Sequence, residues 1–318
     1  MANRVLTIQS HVVHGYVGNK VAVFCLQVLG MDVDPINSVQ FSCHTGCSAF
    51  RGQVLQRDQL SDLQSGLELS GILDQVEYSH LLTGYIGSVG FLEGVVGVFR
   101  TLREKNPGIT YVCDPVLGDN GKLYVPKELV ACYRKLVVPL ATVLTPNQFE
   151  VELLTGIRIR SRSDAARACD TFHARGVRTV VITSVEYDDS AGKNLMTVFA
   201  SHRENEAATI QRREVTFPKL PYHFTGTGDL TAALFLARMH QTENADLGAA
   251  LVETVATVQA VLARTAEQGT AVGGAAAPEL RLVQSQADIV VSPVGEFLSS
   301  SGATTWQADV AVEQTTIF

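Results

Sequence analysis

Short apolar runs of strand length alternate with longer amphipathic stretches along most of the chain. The first such run, Arg4–Gln9, is followed by Gly18–Leu29, whose apolar residues fall on one stripe at helical spacing. Further strands are predicted at Pro35–Phe41, His80–Thr83, Thr110–Cys113, Ala141–Leu144 and Thr179–Thr183. Further helices are predicted at Arg57–Leu73, Gly90–Lys105, Lys127–Val137, Ser163–Arg175, Asp229–His240 and Ala245–Arg264. Strands that alternate with helices are typical of βα units, so we expect an α/β fold with a largely parallel central sheet flanked by helices.

The pattern changes in the last third of the chain. Two alternating strands between Met196 and Thr216, separated by a polar turn at Asn205, predict an antiparallel hairpin at the edge of the sheet. The later stretch GGAAAP is typical of a linker, and residues 291–318 are rich in Ser and Thr with little periodicity. We therefore expect a single domain over residues 1–290 and a weakly ordered C-terminal tail over residues 291–318.

Composition and charge narrow the class of protein. With 46% hydrophobic and 18% charged residues, the 318-residue chain can bury a large core. Its 25 basic and 32 acidic residues give a net charge of −7, and the basic residues are scattered, so no nucleic-acid partner is expected. The most apolar helical run, Leu247–Ala263, carries Glu253 and would span only about 26 Å at ~1.5 Å per residue, so we expect no membrane helix. Residues Met1–Arg4 lead directly into a strand without a secretion-leader pattern, which favours a cytoplasmic location.

The six cysteines lie mostly inside apolar strand or helix runs, which predicts free thiols. The segment Cys43–Cys47 has a Cys at each end and His44 between them, but a closed zinc site needs four ligands. No second Cys or His pair with suitable spacing follows, so we do not expect a zinc site there.

One segment, His223–Thr231, has the residues of an anion cradle directly before an apolar helix. Its glycines let the backbone approach a ligand closely, and the first N–H groups of a helix attract a phosphoryl group. Asp229 stands beside this cradle and could take a proton from an attacking hydroxyl. The alternative is that Asp229 is an ordinary N-cap, a position that Asp favours. A helix N-terminus should also lower the pKa of this carboxyl group.

Two other strand ends carry residues suited to a cation and phosphate. Asp114 and Asp119 follow the strand at Thr110–Cys113, where carboxylate oxygens suit Mg²⁺, although Asp-Pro and Gly-Asp also favour turns. After the next strand, Thr145 and Gln148 are predicted to form a capping box with Pro146 at the first helical position.

That cap leaves Asn147 and Glu150 unexplained. Their i, i+3 spacing directs both toward the same edge of the sheet, where they could organise Mg²⁺ and phosphate.

Signatures of three large enzyme classes are missing from the sequence. No Gly-Lys-Ser/Thr occurs, and Gly15–Gly18 and Gly84–Gly87 lack the spacing of a dinucleotide fingerprint. No G-x-S-x-G is present either. P-loop enzymes, Rossmann enzymes and nucleophile-elbow hydrolases are therefore disfavoured.

The motifs resemble a known family. The Gly226–Asp229 cradle is similar to that of the ribokinase-like superfamily. Five further blocks together resemble the pyridoxal kinase family within it, namely Ser10–Asn19, Asn37–Gly46, Leu82–Tyr85, Cys113–Asp119 and Thr145–Glu150. The resemblance runs in order from about Arg4 to Asp288, and several separated blocks in one order are more specific than any single block.

This resemblance implies a three-layer αβα sandwich and a homodimer. It also implies ATP-dependent phosphorylation of the 5′-hydroxymethyl group of pyridoxal, pyridoxine or pyridoxamine. The nearest alternative is a hydroxymethylpyrimidine kinase of the same superfamily, and a sugar kinase is more remote. A third possibility is a non-catalytic carrier of B6 vitamers that keeps the pocket without turnover.

Residue roles also follow from the resemblance, position by position. The catalytic positions are the general base Asp229 and the anion hole Gly226, Thr227 and Gly228. The ATP and Mg²⁺ positions are Asp114, Asn147, Glu150, Thr183, Ser184 and Thr227, with Asp119 as a further metal ligand. A monovalent cation, usually K⁺ but alternatively Na⁺, is expected at Asp114 and Thr145.

The substrate positions are Ser10 at the pyridine nitrogen, Thr45 near the 3-hydroxyl group, Tyr85 at the ring, and Asp229. Ser10 and Tyr85 have structural alternatives, as a strand end and a core-edge aromatic respectively. The nearby residues His11, His14 and His44 receive no role. The segment 120–124 is similar to a loop that closes over substrate, but it is shorter than in relatives.

Overall fold

The computed structural model describes residues 3–190, 194–222, 224–243, 245–268 and 278–310. Its strands are β1 Arg4–Val12, β2 Asp32–Phe41, β3 Gly52–Val54, β4 Tyr78–Thr83, β5 Thr110–Cys113, β6 Gly118–Asp119, β7 Lys122–Leu123, β8 Val143–Leu144, β9 Thr179–Val185, β10 Leu195–His202, β11 Ile210–Pro218 and β12 Thr304–Val310. Its helices are α1 Asn19–Val28, α2 Arg57–Leu69, α3 Ile72–Gln75, α4 Val89–Lys105, α5 Glu128–Cys132, α6 Gln148–Thr155, α7 Arg162–His173, α8 Thr227–Gln241, α9 Leu247–Gln268, α10 Gln286–Val290 and α11 Val294–Ser300.

Ten of the strands form one sheet, in the order β12-β11-β10-β9-β8-β5-β4-β1-β2-β3. The six strands from β9 to β2 are parallel to their neighbours, whereas β3 at one edge and β10, β11 and β12 at the other pair in antiparallel fashion. The prediction of a largely parallel sheet is therefore confirmed. The remaining strands, β6 and β7, form a separate hairpin.

Buried residues alternate between the two faces of the sheet, as the period of a strand requires. Along β4, Leu81 packs into the core beneath α2 to α7, and its neighbour Leu82 packs into the core beneath α1 and α8 to α11. Tyr111 and Val112 of β5 divide in the same way. Strands that are buried on both faces explain the continuous apolar runs of the sequence, and the layers form the expected αβα sandwich.

Two predicted helices are interrupted. The helix expected over Arg57–Leu73 ends at Leu69, because Gly71 adopts a left-handed φ of 72° and starts the short helix α3. The helix expected over Lys127–Val137 is α-helical only to Cys132 and continues as a π-helical turn over Tyr133–Val137. The apolar spacing alone could not show either change, since both halves keep an apolar face.

The C-terminal tail corrects two predictions. The hairpin of β10 and β11 is present, but it is not the edge of the sheet, because β12 pairs with β11 from Ile210 to Thr216. Weak order was expected from residue 291, yet α11 and β12 are formed within it. Trp306 of β12 stacks on Phe199 with ring centroids 6.4 Å apart, and the Arg162 guanidinium lies 4.5 Å above its ring. One aromatic residue thus anchors a strand of low periodicity; residues 311–318 and most of the predicted linker lie outside the described residues.

Helix α9 is the one helix in the described ranges that is long and apolar enough to cross a membrane by length and composition. In this fold, 56% of its apolar window is buried. It packs against α8, α11 and β11, which is how a core helix is used. All six cysteines are free thiols, as predicted.

Candidate active site

Two cavities of about 650 Å³ and 620 Å³ lie side by side at the carboxyl ends of the parallel strands. We call the first the α9 cavity, because Val255, Val258 and Leu262 of α9 form part of its wall. We call the second the β1 cavity, because Ser10 and Val12 of β1 line it. Six residues line both cavities: Asp119, Asn147, Thr183, Phe224, Thr227 and Gly228.

The α9 cavity is a partly apolar slot. Its wall residues include Met196, Val198, Phe217 and Leu220 from the hairpin of β10 and β11. Polar groups of the lining include the residues shared with the β1 cavity, Gln259 of α9, and a pair in which Lys219 lies 2.6 Å from Glu186. Hydrophobic periodicity could not reveal this wall, because its members are ordinary core residues that only the order of strands in the sheet brings together.

All the sequence-predicted site residues line one or both cavities. The β1 cavity contains Ser10, Thr45, Tyr85, Asp114, Thr145, Glu150, Gly226 and Asp229. The α9 cavity contains Ser184, and the junction contains Asp119, Asn147, Thr183, Thr227 and Gly228. His223, at the start of the cradle motif, lies outside the described residues. Residues from seven separate segments of the chain thus line two adjoining cavities.

The start of α8 lies at the junction of the two cavities. Gly226 is its N-cap with a left-handed φ of 87°, and a Cβ there would lie 2.3 Å from the carbonyl oxygen of Tyr16. Only glycine therefore fits. The N–H groups of the first helical turn have no acceptor within the helix, and the helix dipole adds partial positive charge at this end. The turn at Gly226–Gly228 is thus suited to an anion.

Asp229 is the third residue of α8 rather than its N-cap, so the alternative of a simple cap is wrong. Its Oδ2 accepts a hydrogen bond of 2.7 Å from the Gly18 N–H, which fixes the carboxylate beside the β1 cavity. Burial raises the pKa of Asp229 to about 6, although the Gly18 hydrogen bond opposes this. The expectation that the helix N-terminus would lower this pKa is therefore wrong, because desolvation outweighs it.

Asp114 lies next to the same turn. Its side chain is 5% exposed, and a Cβ on Gly228 would lie 3.2 Å from its Oδ2. Burial, then the negative charges of Glu150 and Asp229, raise the pKa of Asp114 well above its ordinary value. The β1 cavity therefore gathers carboxylates, and no lysine or arginine among the described residues lines it. Such an arrangement favours a bound cation.

The helix after β8 is capped differently from the prediction. Its N-cap is Asn147, whose Oδ1 accepts from the Glu150 N–H at 2.9 Å, while Glu150 Oε2 accepts from the Asn147 N–H at 2.9 Å. The capping box is thus Asn147 with Glu150, and the predicted box of Thr145 with Gln148 is wrong. The predicted pair and the observed pair have the same i, i+3 spacing, and the observed pair lies two residues later in the chain.

Glu150 also holds the loop after β5. Its Oε1 accepts from the N–H groups of Leu117 and Gly118 at 2.8 Å and 3.3 Å. Burial raises the pKa of Glu150 to about 8, although these backbone hydrogen bonds and that of Asn147 oppose the shift. With both oxygens engaged, Glu150 is positioned to shape the site. Nowhere in the described chain do three or more His, Cys, Asp or Glu side chains come close enough to hold a metal ion by themselves.

Because Asn147 is the N-cap of this helix, Thr145 does not have the capping role that the sequence predicted. Its side chain is 1% exposed, and its Oγ1 makes no hydrogen bond within the described parts of the chain. It lines the β1 cavity together with Asp114. A buried hydroxyl oxygen beside a carboxylate and without a protein partner suits a cation.

The segment resembling a closing loop is the tight hairpin β6–β7. Asn120 and Gly121 form its two-residue turn with φ values of 49° and 77°, which is the Asn-Gly type I′ geometry. Asp119 accepts hydrogen bonds from the backbone and side-chain N–H groups of Asn120 at 2.8 Å and 2.9 Å. The Gly118 carbonyl accepts from Asn147 Nδ2 at 2.8 Å. The hairpin is therefore fastened at its base, with Asp119 between the cavities.

The remaining candidates lie where the sequence placed them relative to the strands. Thr183, in β9, donates its N–H to the carbonyl of Pro146 at 2.9 Å. Ser10 lies at a register shift in β1, where a Cβ on Gly18 would be 2.4 Å from its Oγ. Thr45 is exposed to the β1 cavity, and half-buried Tyr85 has a pKa raised by burial. Ser10, Thr45 and Tyr85 thus add polar and aromatic groups to the cavity that Asp229 also lines.

The chain was compared with known families, curated proteins and solved structures. The family model described as phosphomethylpyrimidine kinase matches residues 67–276. The pyridoxal kinase of Arabidopsis thaliana is 51% identical over 290 residues, which cover 90% of this chain and 91% of the relative. The pyridoxal kinase of Homo sapiens is 45% identical, with 90% and 95% covered. A structure of the Leishmania donovani pyridoxal kinase in complex with ADP and pyridoxine is 31% identical with a TM-score of 0.84, covering 97% of this chain and all of that one.

Proposed function

Because this chain belongs to the pyridoxal kinase family, its reaction is the ATP-dependent phosphorylation of B6 vitamers, and we propose that the two joined cavities carry it out. The α9 cavity holds ATP and the β1 cavity holds pyridoxal, pyridoxine or pyridoxamine. The observation that carries this assignment is the start of α8, where Thr227 and Gly228 of the anion-binding turn line both cavities and the Asp229 carboxylate lines the β1 cavity.

The division of the substrates follows from the linings. An apolar slot between α9 and the β10–β11 hairpin suits a flat nucleobase, and Thr183 and Ser184 stand on its polar side. In the β1 cavity we assign Ser10 to the pyridine nitrogen and Thr45 to the 3-hydroxyl group, since both residues line it. Tyr85 supplies an aromatic wall for the ring. The 5′-hydroxymethyl group then points toward Asp229 and the junction.

We assign Asp229 as the general base. As the 5′-hydroxyl oxygen forms its bond to the γ-phosphorus of ATP, the bond between that phosphorus and the bridging oxygen of the β-phosphate breaks. The hydroxyl proton passes to Asp229, and ADP leaves with the bridging oxygen. Gly18 holds one carboxylate oxygen through its N–H, so the other oxygen is free to take the proton. The amides of Gly226, Thr227 and Gly228 stabilise the charge on the moving phosphoryl group.

The residues present fit the cations that such a kinase needs. Asp114 and Asp119 would hold Mg²⁺ with the phosphates, and Glu150 and Asn147 would hold the loop that carries them. The carboxylate Asp114 and the unpartnered Thr145 Oγ1 would hold K⁺ or Na⁺. When bound, these ions neutralise phosphate charge during transfer. The carboxylates that line the β1 cavity, with no lysine or arginine beside them in the part of the chain that the structure describes, support this assignment.

A kinase assay tests the proposal directly. Purified protein is incubated with Mg²⁺ and ATP and each of the three B6 vitamers, with and without K⁺, and the 5′-phosphate and ADP are measured. We expect equal amounts of the two products and faster turnover with K⁺. Absence of ADP formation with every vitamer would leave a carrier as the better description. Binding of an ATP analogue away from the start of α8 in a crystal would overturn the site assignment.

A second candidate is hydroxymethylpyrimidine phosphorylation, because the matching family model carries the phosphomethylpyrimidine kinase description. The two substrates share a ring nitrogen and a hydroxymethyl group. A comparison of kcat/KM for pyridoxal and hydroxymethylpyrimidine in the same assay separates them. We expect pyridoxal to be preferred, in line with the curated relatives.

The assembly and location remain proposals. We propose a cytoplasmic homodimer with a single catalytic domain in each chain and no membrane or nucleic-acid partner. The family resemblance and the net charge of −7 support this. Sedimentation equilibrium at the concentrations used for kinetics tests the dimer, and a single species at the 34.3 kDa chain mass would contradict it.

A further inference from the structure

A partly buried carboxylate outside the predicted set, Glu279, contacts two loops of the β1 cavity. Its own segment is firmly seated, since Leu280 and Leu282 are at most 1% exposed and the Arg281 N–H donates to Thr265 Oγ1 at 3.0 Å. Apolar burial and a hydrogen bond to α9 thus place Glu279 without help from the cavity loops. The Glu279 side chain is therefore not needed to hold its own segment and can accept hydrogen bonds from other loops.

Glu279 joins the loops that follow β1 and β2. Its Oε1 lies 3.0 Å from His44 Nε2, and its Oε2 accepts from the Tyr16 N–H at 3.0 Å. The His44 side chain is 7% exposed and that of Glu279 is 15% exposed, so both bonds are sheltered from water. Burial opposes the charge on Glu279, but the His44 and Tyr16 hydrogen bonds outweigh it and keep the pKa of Glu279 below its ordinary value.

The hydrogen-bond pattern determines which atom of His44 carries a proton. The Gly46 N–H donates to His44 Nδ1 at 3.1 Å, so Nδ1 is an acceptor. A proton is therefore required on Nε2, where it is donated to Glu279. The ring is held at both nitrogens, and the backbone on either side of Thr45 is held with it. Glu279 consequently receives one N–H from each loop and must accept both.

Two glycines leave room for this arrangement. Gly15 has a φ of 96°, and a Cβ there would lie 2.4 Å from Glu279 Oε2. A Cβ on Gly46 would lie 2.9 Å from His44 Nδ1. A side chain at Gly15 would therefore collide with the Glu279 carboxylate, and a side chain at Gly46 would collide with the His44 imidazole. Glycine at these two positions permits the close approach.

The loops that Glu279 joins carry groups assigned to the reaction. His44 and Gly46 flank Thr45 in the β1 cavity. Tyr16 presents its carbonyl oxygen to Gly226, and two residues later the Gly18 N–H holds Asp229. A single carboxylate therefore fixes the distance between the loop that contacts the substrate and the loop that orients the base.

We propose that Glu279 is a positioning residue for the vitamin substrate, acting through the His44 imidazole and the Tyr16 amide to hold Thr45 opposite Asp229. This inference rests on the proposed function of the β1 cavity. It predicts an effect on the vitamer and not on ATP, because none of these contacts reaches the α9 cavity.

The substitution Glu279→Gln tests the proposal with little change in shape. A carboxamide offers one oxygen, so either His44 Nε2–H or the Tyr16 N–H must face an NH₂ group. We expect the KM for pyridoxal and its dissociation constant from direct titration to rise by at least about tenfold, the cost typical of a lost charge-assisted hydrogen bond. The KM for ATP should stay within about twofold, and kcat should change less than the pyridoxal KM.

The matched control is Glu214→Gln. Glu214 is a more deeply buried carboxylate, 4% exposed, that accepts from Arg162 at 2.8 Å and 2.9 Å and lines neither cavity. It should lower thermal stability without moving either KM. If the Glu279→Gln protein does not fold, Glu279→Asp takes its place, since its shorter side chain keeps the charge but loses reach.

The outcomes separate this inference from the proposed function. Unchanged pyridoxal affinity in the Glu279 variant, or an equal rise in the KM for ATP, overturns the inference. The proposed function still stands in that case, provided that the wild type phosphorylates a vitamer. A wild type that does not phosphorylate any vitamer overturns the function. The ratio of pyridoxal dissociation constants between wild type and variant still decides the inference in that case.

Discussion

Replacing Asp229 with Asn should trade activity for stability, and the size of both effects follows from its surroundings. Asn keeps the shape and can still accept the Gly18 N–H that now bonds to Oδ2. It cannot accept the substrate proton. We expect kcat to fall by about 10²- to 10⁴-fold, the usual contribution of a positioned base, with modest change in pyridoxal binding.

The stability gain comes from the raised pKa of Asp229. In the folded protein this pKa is about 6 against an ordinary 3.8, so the folded state disfavours the charged form. A difference of about 2 units at 1.36 kcal/mol per unit gives a cost of about 3 kcal/mol above pH ~6. Folding takes up a proton between the two pKa values, so stability falls as pH rises through that window. The neutral Asn does not bear this cost.

The assay is urea unfolding of wild type and Asp229→Asn at about pH 5 and about pH 8, alongside kcat. The variant should be more stable at both, with a gain at about pH 8 roughly twice that at about pH 5, because the wild-type group is only partly ionised at the lower pH. Wild-type kcat should fall below pH ~6 as the base becomes protonated. A variant that turns over like wild type would refute the catalytic role. A variant no more stable at either pH would refute the account of a desolvated carboxylate.

Three further perturbations address other parts of the site and fold. Thr145→Val should raise the K⁺ concentration for half-activation by about tenfold and leave the unfolding free energy unchanged or higher, because the lost hydroxyl has no hydrogen-bond partner among the described residues. Gly121→Ala should strain the β6–β7 turn by about 1–2 kcal/mol and raise the KM for ATP, whereas Asn120→Gly, which also suits a positive φ, should not. Trp306→Ala should cost about 2 kcal/mol of stability in chemical denaturation, with kcat unchanged, since the ring packs on Phe199 away from both cavities.

The sequence predicted the layers of the fold because periodicity is a local signal. Strands such as Thr110–Cys113 and helices such as α4 were placed within a residue or two. The position of β12 could not be predicted in this way, because its stability comes from pairing with β11 and from the contacts of Trp306 with Phe199 and Arg162 rather than from an apolar stripe. The break at Gly71 was equally hidden, since it depends on a backbone conformation and not on hydrophobicity.

The sequence could predict those residues of the candidate site that directly follow a strand. Strand ends meet at one edge of a parallel sheet, and that rule brought Asp114 and Asp229 to one place. It could not reveal Glu279, which lies beyond the parallel strands and reaches the site through a hydrogen bond to a loop more than two hundred residues earlier. It also gave the wrong direction for the Asp229 pKa, because burial is a property of the assembled fold.

Carboxylates that accept backbone N–H groups hold the loops of the site in place, which explains why acidic residues are numerous there. Glu150 accepts N–H groups from the loop after β5, Glu279 accepts one from the loop after β1, and Asp229 accepts one from the same loop. Each carboxylate fastens a loop that carries no regular structure, where unpaired amides would otherwise be costly. No lysine or arginine among the described residues lines the β1 cavity, and burial, followed by the negative charges of Glu150 and Asp229, raises the pKa of Asp114. The same arrangement that fixes the loops therefore prepares the site to receive cations together with ATP.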